Sequence, residues 1–231
     1  MNLSPVLLLQ TGAVSCWSVG RDLDGEAFDA SRSADTDRLR QRLGIPGTVR
    51  QCPQEHGTVI DENGESAACD AFLLRPGESA LVRHADCFPV VVADRARSRA
   101  VLAHCGWRGT LAGLAGDCAR RLIRDGSHPQ DLVAAIGAGI GPASFEVVAE
   151  VLRAFPERFR RLTSWETPSV DLIGFLRRDL ESAGVAQVGI LAPDTFMDPE
   201  WHSFRRDGSH SGRNATLCIV VPTSSQPGEP S

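Results

Sequence analysis

The stretch His84-Ala-Asp-Cys-Phe-Pro-Val-Val-Val-Ala-Asp94, resumed after a short charged turn as Ala100-Val-Leu-Ala-His-Cys-Gly-Trp-Arg-Gly109, decides how this chain folds. Residues 90–93 and 100–103 are continuous apolar runs of strand length, separated by the charged turn at 94–99. Such runs, bounded by turn signals, read as neighbouring buried strands rather than as a helix. A cysteine stands at the entrance of the first run and a histidine at the exit of the second, so Cys87 and His104 are expected to face each other. Upstream, Gln54-Glu55-His56-Gly57 sets a second histidine on a glycine-flanked turn ahead of another short apolar run. One Cys and two His converging from three segments form a zinc donor set. Three protein ligands with an open fourth position describe a catalytic site, whereas structural sites are closed by a fourth ligand and usually show close Cys pairs. No C-x-x-C occurs in this chain. Adjacent strand residues point to opposite faces, so Cys105 is expected to face away from any site that His104 faces.

These elements resemble the laccase-domain, or peptidoglycan editing factor, family. Its Q-x-H-G, T-A-D-C-x-P and H-A-G-W-R-G elements look like Gln54-Glu55-His56-Gly57, His84-Ala85-Asp86-Cys87-Phe88-Pro89 and His104-Cys105-Gly106-Trp107-Arg108-Gly109. Its C-terminal S-Y-R-R-D and G-R-x-A elements look like Ser203-Phe204-Arg205-Arg206-Asp207 and Gly212-Arg213-Asn214-Ala215. With Gly139-Ile140-Gly141-Pro142 and Phe145-Glu146-Val147, the likeness spans residues 50–221. Members are similar to purine nucleoside phosphorylases with adenosine deaminase side activity. The resemblance implies an α+β fold, a four-layer α/β/β/α sandwich with mixed β-sheets. It also implies His56, Cys87 and His104 as ligands of a catalytic metal. Three features depart from the pattern: His84 and Cys105 replace a threonine and an alanine, and Cys16-Trp17-Ser18-Val19-Gly20 lacks the family's asparagine.

With 231 residues the chain fits one large domain. A single domain over 1–221 is expected, followed by a Ser- and Pro-rich disordered tail at 222–231. An apolar share of 42% and a charged share of 23% describe a soluble globular protein. The net charge of −5 argues against non-specific nucleic-acid binding, which needs a clustered basic face. The run Leu7-Leu8-Leu9 is too short to span a membrane and lacks signal-peptide flanks. Seven scattered cysteines form no disulfide framework, so a reducing cytoplasm is the expected compartment. All 24 basic residues are arginine and there is no tyrosine, which excludes lysine Schiff-base chemistry, P-loop chemistry and tyrosine acid catalysis.

In order, strands are expected at 3–9 and 13–19, a short helix from Ser33 or Asp35 to Gly44, and strands at 48–52 and 71–74. After Trp107, apolar residues at helical spacing from Leu111 to Ile123 predict one helix closed by Gly126. Its N-terminus lies beside the metal ligands, and its free N–H groups with Arg108 suit phosphate. A strand at 132–138, a helix opened by Ser144 with Glu146 and running to about Phe155, a helix over 170–180 and strands at 188–191 and 215–221 complete the pattern. The loop at 195–214, rich in Arg, His and Asp, is long enough to suggest function.

The function expected is zinc-dependent purine nucleoside phosphorolysis with adenosine deamination as a second activity. The partners are a nucleoside and phosphate, and oligomeric state is left open. His56, Cys87, His104 and Asp86 are the catalytic candidates, with Asp207 a further possible acid. Arg108, Arg205, Arg206 and Arg213 are the candidates for substrate and phosphate. Copper suits the site less well, since a blue-copper centre usually adds an axial methionine and only Met1 and Met197 exist. The rival readings are a copper-dependent phenol oxidase, a cysteine or metal hydrolase editing peptidoglycan precursors, and a non-catalytic metal-binding protein.

Overall fold

Strand parity sorts the apolar residues into three stacked cores. The computed structural model describes residues 5–222. The beginning of the expected first strand at Leu3, and all of the expected tail beyond Pro222, lie outside the described residues.

One sheet joins β1 (Val6–Thr11), β2 (Val14–Val19), β7 (Ser79–His84) and β14 (Asn214–Val220) in the order β1-β2-β14-β7, antiparallel throughout. The small strands β3 (Asp22–Leu23) and β4 (Glu26–Ala27) form a separate hairpin. The larger sheet contains β5 (Ile60–Asp61), β6 (Ala71–Leu74), β8 (Phe88–Asp94), β9 (Arg99–Cys105), β10 (Leu132–Ile136) and β13 (Gln187–Ile190). Its order is β13-β10-β8-β9-β6-β5, with the two outer pairs parallel and the rest antiparallel. A further ribbon pairs β11 (Arg160–Leu162) with β12 (Pro168–Val170).

Val91, Ala93, Ala100 and Leu102 point between the two sheets and meet Val82, Cys218 and Val220. Their neighbours Val90, Val92, Val101 and Ala103 point outward, under α3 (Leu114–Arg124) and α5 (Leu172–Ser182). On the far side of the smaller sheet, Leu81, Leu217 and Ile219 pack with Leu39 of α1 (Ser33–Arg42). The result is the four-layer α/β/β/α sandwich. Because both faces of β8 and β9 are covered, these strands carry unbroken apolar runs instead of alternation. Each fully buried Leu or Val contributes about 1.5–3 kcal/mol relative to exposure.

Four elements differ from the sequence expectation. The helix after the second strand is split into α2 (Trp107–Leu111) and α3, because Gly113 takes a left-handed conformation at φ 88°. The helix expected from Ser144 begins only at Ala149 and ends at Ala154, as α4. Ser144 gives its hydroxyl to Asp194 at 2.6 Å instead of capping a helix. Val170 belongs to β12, and α5 begins after Asp171, whose carboxylate accepts the Gly174 N–H at 2.8 Å. Residues 48–52 form no strand beyond one bridge from Arg50 to Ala80. Among the described residues, no helix is long and apolar enough to cross a membrane.

Candidate active site

The central hairpin is registered so that Pro89 lies opposite His104 and Phe88 opposite Cys105. Parity therefore sends Cys87 and His104 to the same side. His56 arrives from the 54–57 turn, and the ligand atoms of His56, Cys87 and His104 all lie within 4.8 Å of one another. The two imidazoles meet edge to face with centroids 5.0 Å apart. Cys105 faces the opposite core against Cys118, where burial pushes its thiol well up.

What holds His56 in place is Asp70, a residue that no motif singled out. His56 has φ 59°, a left-handed conformation that costs a non-glycine residue about 1–3 kcal/mol. The Asp70 carboxylate accepts the N–H groups of Glu55, His56 and Gly57 at 3.2, 3.0 and 2.7 Å, and so stabilises that turn. The same carboxylate meets His104 Nδ1 at 2.9 Å, which leaves Nε2 for the cluster. The Asp70 carbonyl also accepts the His104 N–H at 2.7 Å. Its signal in the sequence was faint: an acid at a strand entrance, like Asp86, but outside any recognised element.

Two motif glycines have a steric reason. A Cβ on Gly106 would lie 2.6 Å from His56 Cδ2 and 3.2 Å from Cys87 Sγ. A Cβ on Gly109 would lie 2.7 Å from the Gly57 carbonyl oxygen. The chain therefore passes against the His56 turn as bare backbone.

The donor set fits a thiophilic metal. Burial alone would raise the Cys87 thiol, but the adjoining His104 charge and hydrogen bonds from both histidines outweigh it and bring it down to about 6. Burial conversely works to lower His104, yet the Cys87 sulfur and the Asp70 carboxylate raise it to about 9. The sulfur is thus held as a thiolate, the form that ligates. One sulfur and two imidazole nitrogens, all within 4.8 Å of one another, could hold a metal ion.

The trio opens into a cavity of about 630 Å³, a size typical of small-molecule sites. Asp86, Arg205 and Arg213 line it, as do Phe145 and Phe204. Asp86 is itself left-handed at φ 89°, and its two oxygens accept the Thr195 hydroxyl at 2.8 Å and the Arg205 N–H at 2.6 Å. Arg108 does not belong to the lining: its guanidinium stacks on Trp107 at 4.3 Å. Arg206 is absent from the lining too, and donates to the carbonyls of Thr195, Phe196 and Trp201 at 2.8, 3.0 and 2.7 Å. Asp207 pairs with Arg21 and Arg206 outside the lining. His84 lines the cavity but stands outside the trio, with Nε2 3.1 Å from the Thr216 hydroxyl. That hydroxyl is 2.8 Å from Ser18 Oγ, so Thr216 bridges Ser18, at the place of the missing asparagine, to the departing His84.

A family model described as multi-copper polyphenol oxidoreductase laccase matches residues 26–221. A Streptomyces griseus protein named purine nucleoside phosphorylase ORF3 is 32% identical over 212 residues, 85% of this chain and 86% of its own. Purine nucleoside phosphorylase YfiH of Escherichia coli (strain K12) is 31% identical over 197 residues, 79% of each chain. The crystal structure of Neisseria meningitidis protein NMB0706 superposes with a TM-score of 0.78 at 24% identity, covering 94% of this chain and 99% of that one. YlmD from Geobacillus stearothermophilus gives 0.79 at 21% identity, covering 94% and 100%. These structural likenesses establish the shared fold.

Proposed function

The chain belongs to the family described as multi-copper polyphenol oxidoreductase laccase, and from that premise we propose that it is a zinc-dependent purine nucleoside phosphorylase with adenosine deaminase side activity. The observation that carries the reading is the His56, Cys87 and His104 trio opening into an arginine-bearing cavity, in a chain whose relatives bear the phosphorylase name. His104 through Nε2, the Cys87 thiolate and His56 would hold the zinc ion beside the cavity. Zinc held in this way supplies Lewis acidity.

The protein's own groups do the rest. Phe145 and Phe204 provide apolar walls for a purine, each carrying a guanidinium near its ring: Arg205 at 5.5 Å and Arg213 at 5.8 Å. Arg205 and Arg213 orient phosphate toward the anomeric carbon as the base departs, so that the nucleophile is positioned before reaction. Asp86 has one hydrogen bond on each oxygen, and its remaining lone pairs accept from the purine. The seven cysteines are all unpaired, and we place the protein in the cytoplasm.

Copper oxidation is the weaker reading, because Met197 is outside the cavity lining and 64% exposed. The lowered Cys87 thiol beside His104 favours one second reading, a hydrolase with Cys87 as nucleophile.

The deciding assay incubates the protein with adenosine or inosine, with and without phosphate, and follows free base, ribose 1-phosphate and inosine. Phosphorolysis releases base only with phosphate, and deamination converts adenosine to inosine without it. No base release at any phosphate concentration removes phosphorolysis. Activity that survives complete chelation and is lost to iodoacetamide replaces zinc chemistry with the Cys87 nucleophile.

A further inference from the structure

We propose that Arg83, paired with Arg213, forms a phosphate-binding subsite where the ends of β7 and β14 border the cavity. Arg83 lies in no recognised motif. The proposal deepens the phosphorylase reading and rests on it for the identity of the ligand's nucleoside partner.

Register sets the geometry. Arg83 is opposite Ala215, and His84 is opposite Asn214, across the β7/β14 pair. Parity then puts Arg83 on the face of Leu81, toward the α1 core, while His84 shares the inter-sheet face of Val82. Arg213 stands directly before β14, two residues before Ala215, at the same end of the strand pair as Arg83. Both residues line the cavity and both are half-buried.

Two like charges lining one cavity repel, and among the described residues neither is ion-paired with a carboxylate. The Arg83 guanidinium has no hydrogen bond or ion pair among the described residues; only its backbone is engaged, in a two-way pairing with the Gln54 side chain at 2.8 and 2.9 Å. Arg213 gives one nitrogen to the carbonyls of Ser211 and Gly212, at 2.8 and 3.0 Å. Neither of the two nearby acids is ion-paired with the Arg83 or Arg213 guanidinium; their bonds run elsewhere. Asp29 turns Oδ1 to the Ser31 N–H and hydroxyl and to the Arg213 N–H, and Asp86 accepts from Thr195 and Arg205. Carboxylates are not scarce in this chain, with 29 acids against 24 arginines. Arg21, Arg50 and Arg121 each have one. An unmatched guanidinium pair at a cavity wall is therefore matched to an anion from outside, and two forked cations suit a tetrahedral phosphate dianion best.

That phosphate has two sources, the inorganic co-substrate or the 5′-phosphate of a nucleotide. The test titrates the metal-loaded full chain with inorganic phosphate and, separately, with adenosine 5′-monophosphate by calorimetry, for wild type and Arg83→Gln, with metal content and melting temperature as controls. Arg83→Gln is expected to weaken one of the two ligands about tenfold, the loss of one charge-assisted hydrogen bond. Arg83→Lys, which keeps the charge but not the fork, is expected to recover part of it. Weakened inorganic phosphate with a matching rise in its KM identifies the co-substrate. Weakened nucleotide with unchanged adenosine affinity identifies the 5′-phosphate. Unchanged affinity for both in a folded, metal-loaded Arg83→Gln protein overturns the subsite, as does wild type that binds neither. If Arg83→Gln does not fold, Arg83→Met takes its place and is read the same way. Loss of phosphate affinity without any base release would retire the phosphorylase reading and leave the subsite standing.

Discussion

Asp70 grips His104 twice, through its carboxylate at 2.9 Å from Nδ1 and through its carbonyl at 2.7 Å from the backbone N–H. The same carboxylate ties down the left-handed turn that carries His56. One buried acid thus couples two of the three candidate ligands, and its burial is a cost that its hydrogen bonds offset: the Asp70 carboxyl stays below the usual range although desolvation works to raise it.

Asp70→Asn should therefore damage metal binding without touching the metal. The amide keeps one acceptor oxygen and turns an NH₂ group toward a donor that the lost oxygen served. Zinc affinity, measured against a competing chelator, is expected to fall about 10–100-fold. Wild-type affinity would show that the turn and the ring are held by something else.

Cys87→Ala and His104→Ala should each abolish metal retention together with both nucleoside activities. Elemental analysis of purified protein checks this, with about one zinc per wild-type chain expected. Stoichiometric copper, or full metal retention in Cys87→Ala, would refute the ligand assignment.

Gly109→Ala puts a methyl group 2.7 Å from the Gly57 carbonyl oxygen. Backbone on both sides has to move, and the His56 turn moves with it. A loss of about 1–3 kcal/mol in denaturant unfolding is expected, together with weaker zinc binding. A variant that matches wild type in both would show that the two segments separate freely.

Arg206→Met tests whether that arginine is a staple of the 195–207 loop. Its removal leaves the carbonyls of Thr195 and Phe196 without their donor and the Trp201 carbonyl with Arg21 alone, at a cost of about 1–3 kcal/mol. Because the loop carries Thr195 and Arg205, both bonded to Asp86, KM for the nucleoside should rise and limited proteolysis should cut within the loop. An intact loop with a selective loss of phosphate affinity would instead make Arg206 a ligand contact.

Acid should expose the Asp61–Arg50 pair, at 2.6 Å. Burial works to raise the Asp61 carboxyl, but Arg50 and the Ser66 N–H prevail and lower it. A carboxyl depressed in the fold adds stability that is complete above its unfolded pKa of about 3.9 and lost as pH falls through the folded value. The stability gap between wild type and Asp61→Asn should therefore narrow as pH falls below about 5, through the unfolded pKa of about 3.9 and on toward the lower folded value. A gap independent of pH would show that the pair contributes no linked protonation.

The buried hairpin was legible because both its faces are covered, which leaves 90–93 and 100–103 uninterrupted by polar residues. Strand parity then carried Cys87 and His104 to one side and Cys105 to the other. The helices were read less well. Ser144 looked like a cap and is instead bound to Asp194, fifty positions away, and the split of α2 from α3 turns on a left-handed Gly113. Arg108 and Arg206 looked like substrate contacts because motif position does not say where a long side chain ends. One stacks on Trp107 and the other reaches backbone carbonyls.

The sequence by itself determined the strand pair, the identities of the three clustered donors and the family, since these depend on local periodicity and on residue type at fixed spacing. Only the tertiary structure decided which acid meets the clustered donors and which arginines line the cavity. Asp70 meets His104 from 34 positions away, and Arg83 comes beside Arg213 through the β7/β14 register. Such long-range placements follow from how sheets are ordered and paired, and no short stretch of chain encodes that order.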